Sequence, residues 1–370
     1  MNVTAAVVRG AGEAFTIETV TLDEPQSDEV LVRVVAVGIC HTDVAVQHGH
    51  IPVPLPAVLG HEGAGIVEAV GRDVTTVRPG AHVVMSQALC GHCRRCTAGQ
   101  PAYCEHAAAL SLGGRREDGT TPLHDANGPL SGNFVGQSSF ASHAIVKARN
   151  VYELDADLPL DVLAPIGCGV MTGAGAIFND ARPVPGASVV VVGCGTVGLA
   201  AIMAAKVAGA AQIVGIDVQP SRLALASRVG ATAIIDVNDD TVARVQELTG
   251  GGADVAIEAS GVPAAGVTAV SSTHATGHTV IVGAAPFGSV LALDWWTLGA
   301  GRHVQGSVIG SSDPVVDIPR LVGLWRSGAL PLDALVTQFP FAAINEAVAA
   351  AASGTAVKPV LVMPGPSEGD

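Results

Sequence analysis

Residues 188–217 read SVVVVGCGTVGLAAIMAAKVAGAAQIVGID, and this stretch constrains the fold more than any other. SVVVVG is a short β-branched run of the buried-strand type. TVGLAAIMAAKVAG reads as a helix, and QIVGID as a second strand. At the first junction lies Gly193-Cys194-Gly195-Thr196-Val197-Gly198, a G-x-G-x-x-G pattern that opens a helix directly after a strand. Glycine permits the tight turn and the close approach of backbone N–H groups to a pyrophosphate, which sits at the positive end of the helix. Asp217 closes the second strand, nineteen residues past Gly198. A carboxylate there accepts from the adenosine ribose hydroxyls and repels a 2′-phosphate. The pattern predicts NAD in preference to NADP; Arg222 softens the repulsion but does not reverse it. Residues 187–205 are uncharged and near the length of a membrane span. Their three glycines at the strand–helix junction favour a buried strand, turn and helix instead.

The same alternation continues. PSRLALASRVG (220–230) reads as a helix, and TAIID (232–236), ADVAIEAS (253–260) and HTVIVGA (278–284) as strands. Residues 170–307 are thus expected to form a doubly wound parallel sheet that binds the cofactor. Residues 1–169 differ, with short β-type runs broken by glycine and proline, such as EVLVRVVAVGI (29–39), GAGIVEAVG (63–71) and HVVMS (82–86). Mostly antiparallel strands with long loops follow. SLGGRREDGTTPLHDANGPLSGNFVGQ (111–137) reads as a long polar loop. After residue 308, DIPRLVGLWRSG (317–328) reads as a helix, KPVLVM (358–363) as a strand and PGPSEGD as a disordered tail.

Four of the seven cysteines occur as CGHCRRCTAGQPAYC, residues 90–104. The spacing lets Cys90, Cys93, Cys96 and Cys104 converge on one tetrahedral Zn²⁺. Four protein ligands leave no open coordination position, so this ion is structural, a staple for a loop without a core of its own. Cys40 opens CHTD, His61 and Glu62 lie in LGHEGAGIVEAVG, and Cys168 lies in PIGCGVMTGAGAI. Two cysteines and one histidine form a zinc set with an open fourth position, but each residue alone is weak evidence. Cys194 occupies a variable position of the glycine pattern and reads as packing.

Taken in order, CHTD, GHEGAGIVEAVGRDV, the four-cysteine lobe, GCGVMTGAGA and VVGCGTVGLA carry a resemblance. The chain resembles a zinc-dependent alcohol dehydrogenase of the medium-chain dehydrogenase/reductase superfamily over residues 3–363. GQSSFASHAIV (136–146) with IGCGVMTGAGAI (166–177) looks most like the aryl-alcohol (benzyl-alcohol) dehydrogenases and their terpenol-oxidising relatives. The resemblance implies an α/β protein: a GroES-like, mostly-β catalytic domain, discontinuous over 1–169 and 308–370, plus a Rossmann cofactor domain over 170–307. It implies two Zn²⁺ per subunit, with Cys40, His61 and Cys168 holding the catalytic one and Glu62 beside it as a transient ligand. Asp43 is then the carboxylate that orients His61, and Thr42 the hydroxyl that takes the alcohol proton. His41 and Lys358 are implied at the cofactor pyrophosphate, and Thr172 and Val197 against the nicotinamide. One position departs. The histidine that ends the proton path in dimeric liver-type members is Ala45 here, so water is expected to take over the outer relay.

The expected reaction is reversible oxidation of primary aromatic or allylic alcohols by NAD⁺. The rival is the S-(hydroxymethyl)glutathione dehydrogenase type, which also carries CHTD; Arg115 and Arg116 are its candidate anion contacts, with a solvated loop the preferred reading of both. A non-zinc quinone reductase relative is disfavoured by the full ligand set. A zinc-ribbon interaction module would need a basic surface, whereas 33 acidic residues face 19 basic ones, a net charge of −14. Nucleic acid is therefore not an expected partner, and neither is a membrane. The N-terminus lacks a basic start followed by an apolar core, so the expected compartment is the cytosol. The family pattern implies a homodimer or homotetramer, with Trp295 and Trp296 in the core or a subunit interface rather than against substrate.

Overall fold

The computed structural model describes residues 1–237 and 240–365. The tail residues 366–370 lie outside the described residues. The chain divides into two units, Met1–Cys168 with Val336–Asp370, and Gly169–Leu335.

The first unit is built on two sheets. The central strand of the larger one, Glu29–Gly38, is EVLVRVVAVG, a valine-rich run buried along almost its whole length. It pairs antiparallel with Glu62–Val70 and His143–Lys147, and at its far end with Lys358–Val362. Strand Val336–Pro340 then adds parallel to Lys358–Val362. The smaller sheet has five strands and is led by Asn2–Val8 and Thr16–Leu22. The unit's core is mostly Val, Leu, Ile and Ala around the fully buried Phe134 and Phe140. β-Branched side chains suit such pleated, two-sided burial.

Residues 111–137, expected as a long polar loop, contain strand structure. Leu123–Asp125 and Gly128–Pro129 form a short hairpin that extends the smaller sheet from Thr16–Leu22. Arg116 anchors the segment. It is 7% exposed, its Nε and Nη2 each donate to Glu29 at 3.0 Å, and its Nη1 donates to Asp23 at 3.2 Å. A buried guanidinium is tolerated only with such paired carboxylates.

The second unit holds six parallel strands in the order Ala233–Asp236, Gln212–Asp217, Ser188–Val192, Ala253–Glu258, Thr273–Ile281 and His303–Gly306. Numbered along the unit, this is 3-2-1-4-5-6, the doubly wound order with its switch point beside Ser188–Val192. Residues 187–205 are a strand, a turn and the start of the buried helix Thr196–Val207. Among the described residues no single helix is long and apolar enough to cross a membrane.

Residues 308–335 group with this second unit, so the chain returns to the first unit at Val336, later than the sequence boundary of 308. The reason is packing. Helix Pro314–Arg326 buries Ile318, Leu321 and Val322. Asp317 accepts from Asn179 Nδ2 at 3.1 Å, and the Arg320 guanidinium lies 3.8 Å over the Phe178 ring. Trp295 and Trp296 are 84% and 80% exposed, which removes the core from their two expected places.

Candidate active site

Cys40 follows the central strand and caps helix His41–Gln47. Asp43, in the first turn of that helix, is 1% exposed and serves three groups. Its Oδ2 accepts the Cys40 N–H at 2.9 Å, and its Oδ1 accepts the Gly60 N–H at 3.0 Å and lies 3.0 Å from His61 Nδ1. With Nδ1–H donated to the carboxylate, His61 keeps Nε2 as its lone-pair nitrogen. Gly60 stands in the left-handed region (φ +88°), and a Cβ there would meet the Phe140 ring at 2.5 Å. Only glycine brings the chain into His61 along this path.

Gln137 and Ser86 brace the other side, and the sequence reading missed both. Gln137 is 1% exposed. Its Nε2 donates to His61 O at 2.8 Å and Ser86 O at 3.3 Å, and its Oε1 accepts the Gly63 N–H at 3.1 Å. Ser86 Oγ donates to Gly167 O at 2.7 Å, one residue before Cys168. Two buried polar side chains thus tie the segment carrying His61 to the segment carrying Cys168. The only signal was Gln137 in GQSSF, a polar residue beside a buried strand.

Cys40, His61 and Cys168 each present one ligand atom within 4.8 Å of the other two. Hydrogen bonding to Cys168 draws the Cys40 thiol well below its ordinary range against the cost of burial, and His61 adds to the effect. That same contact, with burial, pushes Cys168 well above it. Burial alone would keep His61 neutral, but the Asp43 and Cys40 charges outweigh it and raise its pKa well above the usual value. Two sulfurs and one oriented imidazole in a dry pocket fit a Zn²⁺ with one coordination position left open. Thr42 Oγ1 lies 3.7 Å from Cys40 Sγ, beside this ligand set. Ala45 is buried in the same helix, and His41 is exposed at its start.

Glu62 and Lys358 form a buried pair beside the ligands. Lys358 Nζ donates to Glu62 Oε2 at 2.7 Å and to Ile39 O at 2.9 Å, and the two residues are 0% and 2% exposed. Burial disfavours the ammonium, but Glu62 and Cys40 overcome this and hold its pKa above that of an ordinary lysine. The ammonium of Lys358, the residue expected at the pyrophosphate, is engaged with Glu62.

The four-cysteine lobe closes on itself. Cys90 Sγ and Cys96 Sγ are 3.9 Å apart, and Cys93 Sγ and Cys104 Sγ 4.0 Å. Zn–S bonds of about 2.3 Å at tetrahedral angles place sulfurs about 3.8 Å apart, so the cage matches zinc. Backbone N–H groups point at the sulfurs, from Cys93 to Cys90 at 3.2 Å and from Glu105 to Cys93 at 3.4 Å. Such donors, from Cys96 and Glu105, hold the Cys93 thiol down to about 6. No disulfide joins the cysteines among the described residues.

In the second unit the glycine pattern forms the turn after Ser188–Val192. A Cβ on Gly198 would meet Gly193 O at 1.8 Å, whereas one on Gly195 would meet nothing within 4 Å. Gly198 is needed for close helix–strand packing, and Gly195 leaves the open cradle a pyrophosphate requires. Asp217 Oδ2 accepts the Cys194 N–H at 2.7 Å and its Oδ1 accepts the Gln219 N–H at 2.8 Å, fixing the carboxylate beside the turn. Arg222 Nη1 is 3.9 Å from the same carboxylate. Thr172 is buried in helix Gly169–Gly175, and Val197 is half-buried in the first turn of Thr196–Val207.

Comparison with known proteins agrees with this geometry. Residues 26–156 match the family model for the alcohol dehydrogenase GroES-like domain, and residues 196–323 that for zinc-binding dehydrogenases. Geraniol dehydrogenase from Castellaniella defragrans is 42% identical over 97% of each chain. S-(hydroxymethyl)glutathione dehydrogenase from Saccharomyces cerevisiae is 36% identical, over 96% of this chain and 95% of the relative. The crystal structure of benzyl alcohol dehydrogenase from Acinetobacter calcoaceticus superposes with a TM-score of 0.94 at 40% identity, covering 98% of this chain and 100% of that one.

Proposed function

The chain belongs to the zinc-dependent alcohol dehydrogenases of the medium-chain dehydrogenase/reductase superfamily, and from that premise we propose that it oxidises primary aromatic or allylic alcohols to aldehydes with NAD⁺, reversibly. The observation that carries this reading is the convergence of Cys40, His61 and Cys168 on one point with Asp43 behind His61. Zinc, when bound, acidifies an alcohol hydroxyl, and NAD⁺ accepts the hydride that leaves the adjoining carbon. Cys40, His61 and Cys168 hold that ion, and the four-cysteine lobe holds a second, structural one. Thr42 takes the hydroxyl proton at Oγ1. Ala45 has no titratable group, so the proton continues to water. Asp217 accepts from the adenosine ribose and favours NAD⁺ over NADP⁺. The exposed start of helix His41–Gln47 offers His41 to the pyrophosphate, and Thr172 and Val197 pack against the nicotinamide.

Aromatic and allylic alcohols are favoured by the names of two relatives, geraniol dehydrogenase and benzyl alcohol dehydrogenase. The glutathione-adduct reading is supported by the yeast relative. It is weakened because Arg116, one of two cations proposed for the glutathione carboxylates, is buried against Glu29. The proposed assembly is a homodimer or homotetramer, in which the exposed Phe287, Trp295 and Trp296 are covered by a second copy. The cytosol, with its reducing poise, suits ligand cysteines that must stay as thiolates.

The test is NADH formation from benzyl alcohol, geraniol, ethanol and S-(hydroxymethyl)glutathione, each with NAD⁺ and NADP⁺. Fastest turnover of the first two with NAD⁺ is expected. Preference for the glutathione adduct would move the chain to the rival substrate class.

A further inference from the structure

The four-cysteine lobe carries more ligand atoms than one zinc uses. His92 lies between Cys90 and Cys93, and His106 two residues past Cys104. Both are exposed, and their rings face each other with centroids 6.0 Å apart and planes inclined by 33°. One donor nitrogen of each, together with Cys90 Sγ, forms a group whose members lie within 4.8 Å of one another. His92 Nδ1 is 2.9 Å from Cys90 O. Donation to that carbonyl fixes the tautomer and leaves Nε2 with the lone pair, the arrangement that metal-binding histidines use.

We propose that His92, His106 and the Cys90 thiolate form an outer site for a divalent transition-metal ion such as Zn²⁺, Co²⁺ or Ni²⁺, with Cys90 shared between this ion and the inner one. Imidazole and thiolate donors select such ions over Mg²⁺ or Ca²⁺, which prefer oxygen. A thiolate bound to one zinc retains lone pairs for a second. Metal bonds of about 2.0–2.3 Å place donors about 3.3–3.8 Å apart. Donors up to 4.8 Å apart therefore close by at most about 1.5 Å, a movement that staggered rotation of two exposed side chains supplies. Water fills the remaining coordination positions. The outer ion is consequently exchangeable, whereas the inner ion is held by three buried sulfurs and one half-buried sulfur. The site rests on the inner four-cysteine group binding zinc, and the test measures the two separately.

Zinc-replete protein is freed of loose metal by gel filtration, its zinc content is measured, and Co²⁺ is then titrated in. Absence of zinc at this first stage would remove the inner site, and the shared-thiolate proposal with it. The expected result is about one further cobalt per chain, accompanied by a near-ultraviolet sulfur-to-cobalt charge-transfer band and no release of zinc. In the His92→Gln/His106→Gln double variant the extra cobalt and the band are lost, while zinc content and dehydrogenase activity are retained. Failure to bind the extra cobalt, or binding that survives the double variant, overturns the site. Cobalt bound without the thiolate band, or only as zinc is released, overturns the sharing of Cys90.

Discussion

Asp43 Oδ1 lies 3.0 Å from His61 Nδ1, and the other oxygen of the same carboxylate accepts the Cys40 N–H. One side chain therefore orients one ligand of the proposed catalytic zinc and fixes the backbone of another. Asp43→Asn keeps the size and one acceptor but removes the charge that stabilises the His61 N–H. Zinc affinity at this site is expected to fall about 10- to 100-fold. Competition with a chromophoric chelator checks it. The zinc proposed for the four-cysteine group serves as internal control, because it should be retained.

Lys358 and Glu62 supply a second test, of stability. Lys358→Met removes the cation 2.7 Å from a carboxylate that is 0% exposed. Breaking one partner of a buried pair costs about 3–5 kcal/mol, while replacing both together costs far less. Urea unfolding should place Lys358→Met well below the Lys358→Met/Glu62→Gln double variant. If the losses of Lys358→Met and Glu62→Gln measured singly add up to that of the double variant, the two side chains are not coupled.

The parts of the molecule legible in the sequence are those whose partners lie close along the chain. The four cysteines fall within fifteen residues, and the glycine pattern and Asp217 share one strand–helix–strand unit. What the sequence hides is paired over long distances. Arg116 finds Glu29 87 residues away, Gln137 finds His61 76 residues away, and Lys358 finds Glu62 across 296 residues. None of these pairings leaves a periodic trace. Each polar residue reads as loop or surface until folding brings its partner beside it. The late return of the chain at Val336 has the same origin, because Asp317 and Arg320 are held by Asn179 and Phe178.

Asp217 and Arg222 make the cofactor preference testable. In the proposed function the Asp217 carboxylate repels a 2′-phosphate; Arg222 lies 3.9 Å from it. Among the described residues nothing hydrogen-bonds its buried Nε. Asp217→Asn preserves an acceptor for the backbone and removes the repelling charge. The NAD⁺ to NADP⁺ ratio of kcat/KM should shift toward NADP⁺ by about tenfold, or 1.4 kcal/mol. Adding Arg222→Met should reverse the gain with NADP⁺. An unchanged ratio in Asp217→Asn would show that the discrimination lies elsewhere.

Cys194 gives a pH dependence whose sign is fixed by its surroundings. It is 0% exposed in the glycine turn, with Sγ 3.6 Å from Ile216 O. Burial, reinforced by the Asp217 charge, pushes its thiol up to about 12. The unfolded chain releases the same proton at about pH 8.5. The folded state thus binds the proton more tightly, and the stability this contributes is complete below the unfolded value and is lost as pH rises toward the folded one. Between about pH 9 and 11 the loss is about 1.4 kcal/mol per pH unit. Cys194→Ala removes the titration and leaves a packing defect that does not change with pH. Its unfolding free energy should therefore fall less steeply than that of the native sequence over this window. Parallel slopes would mean that the thiol ionises in the folded protein, and native-state alkylation at the same pH would then label Cys194.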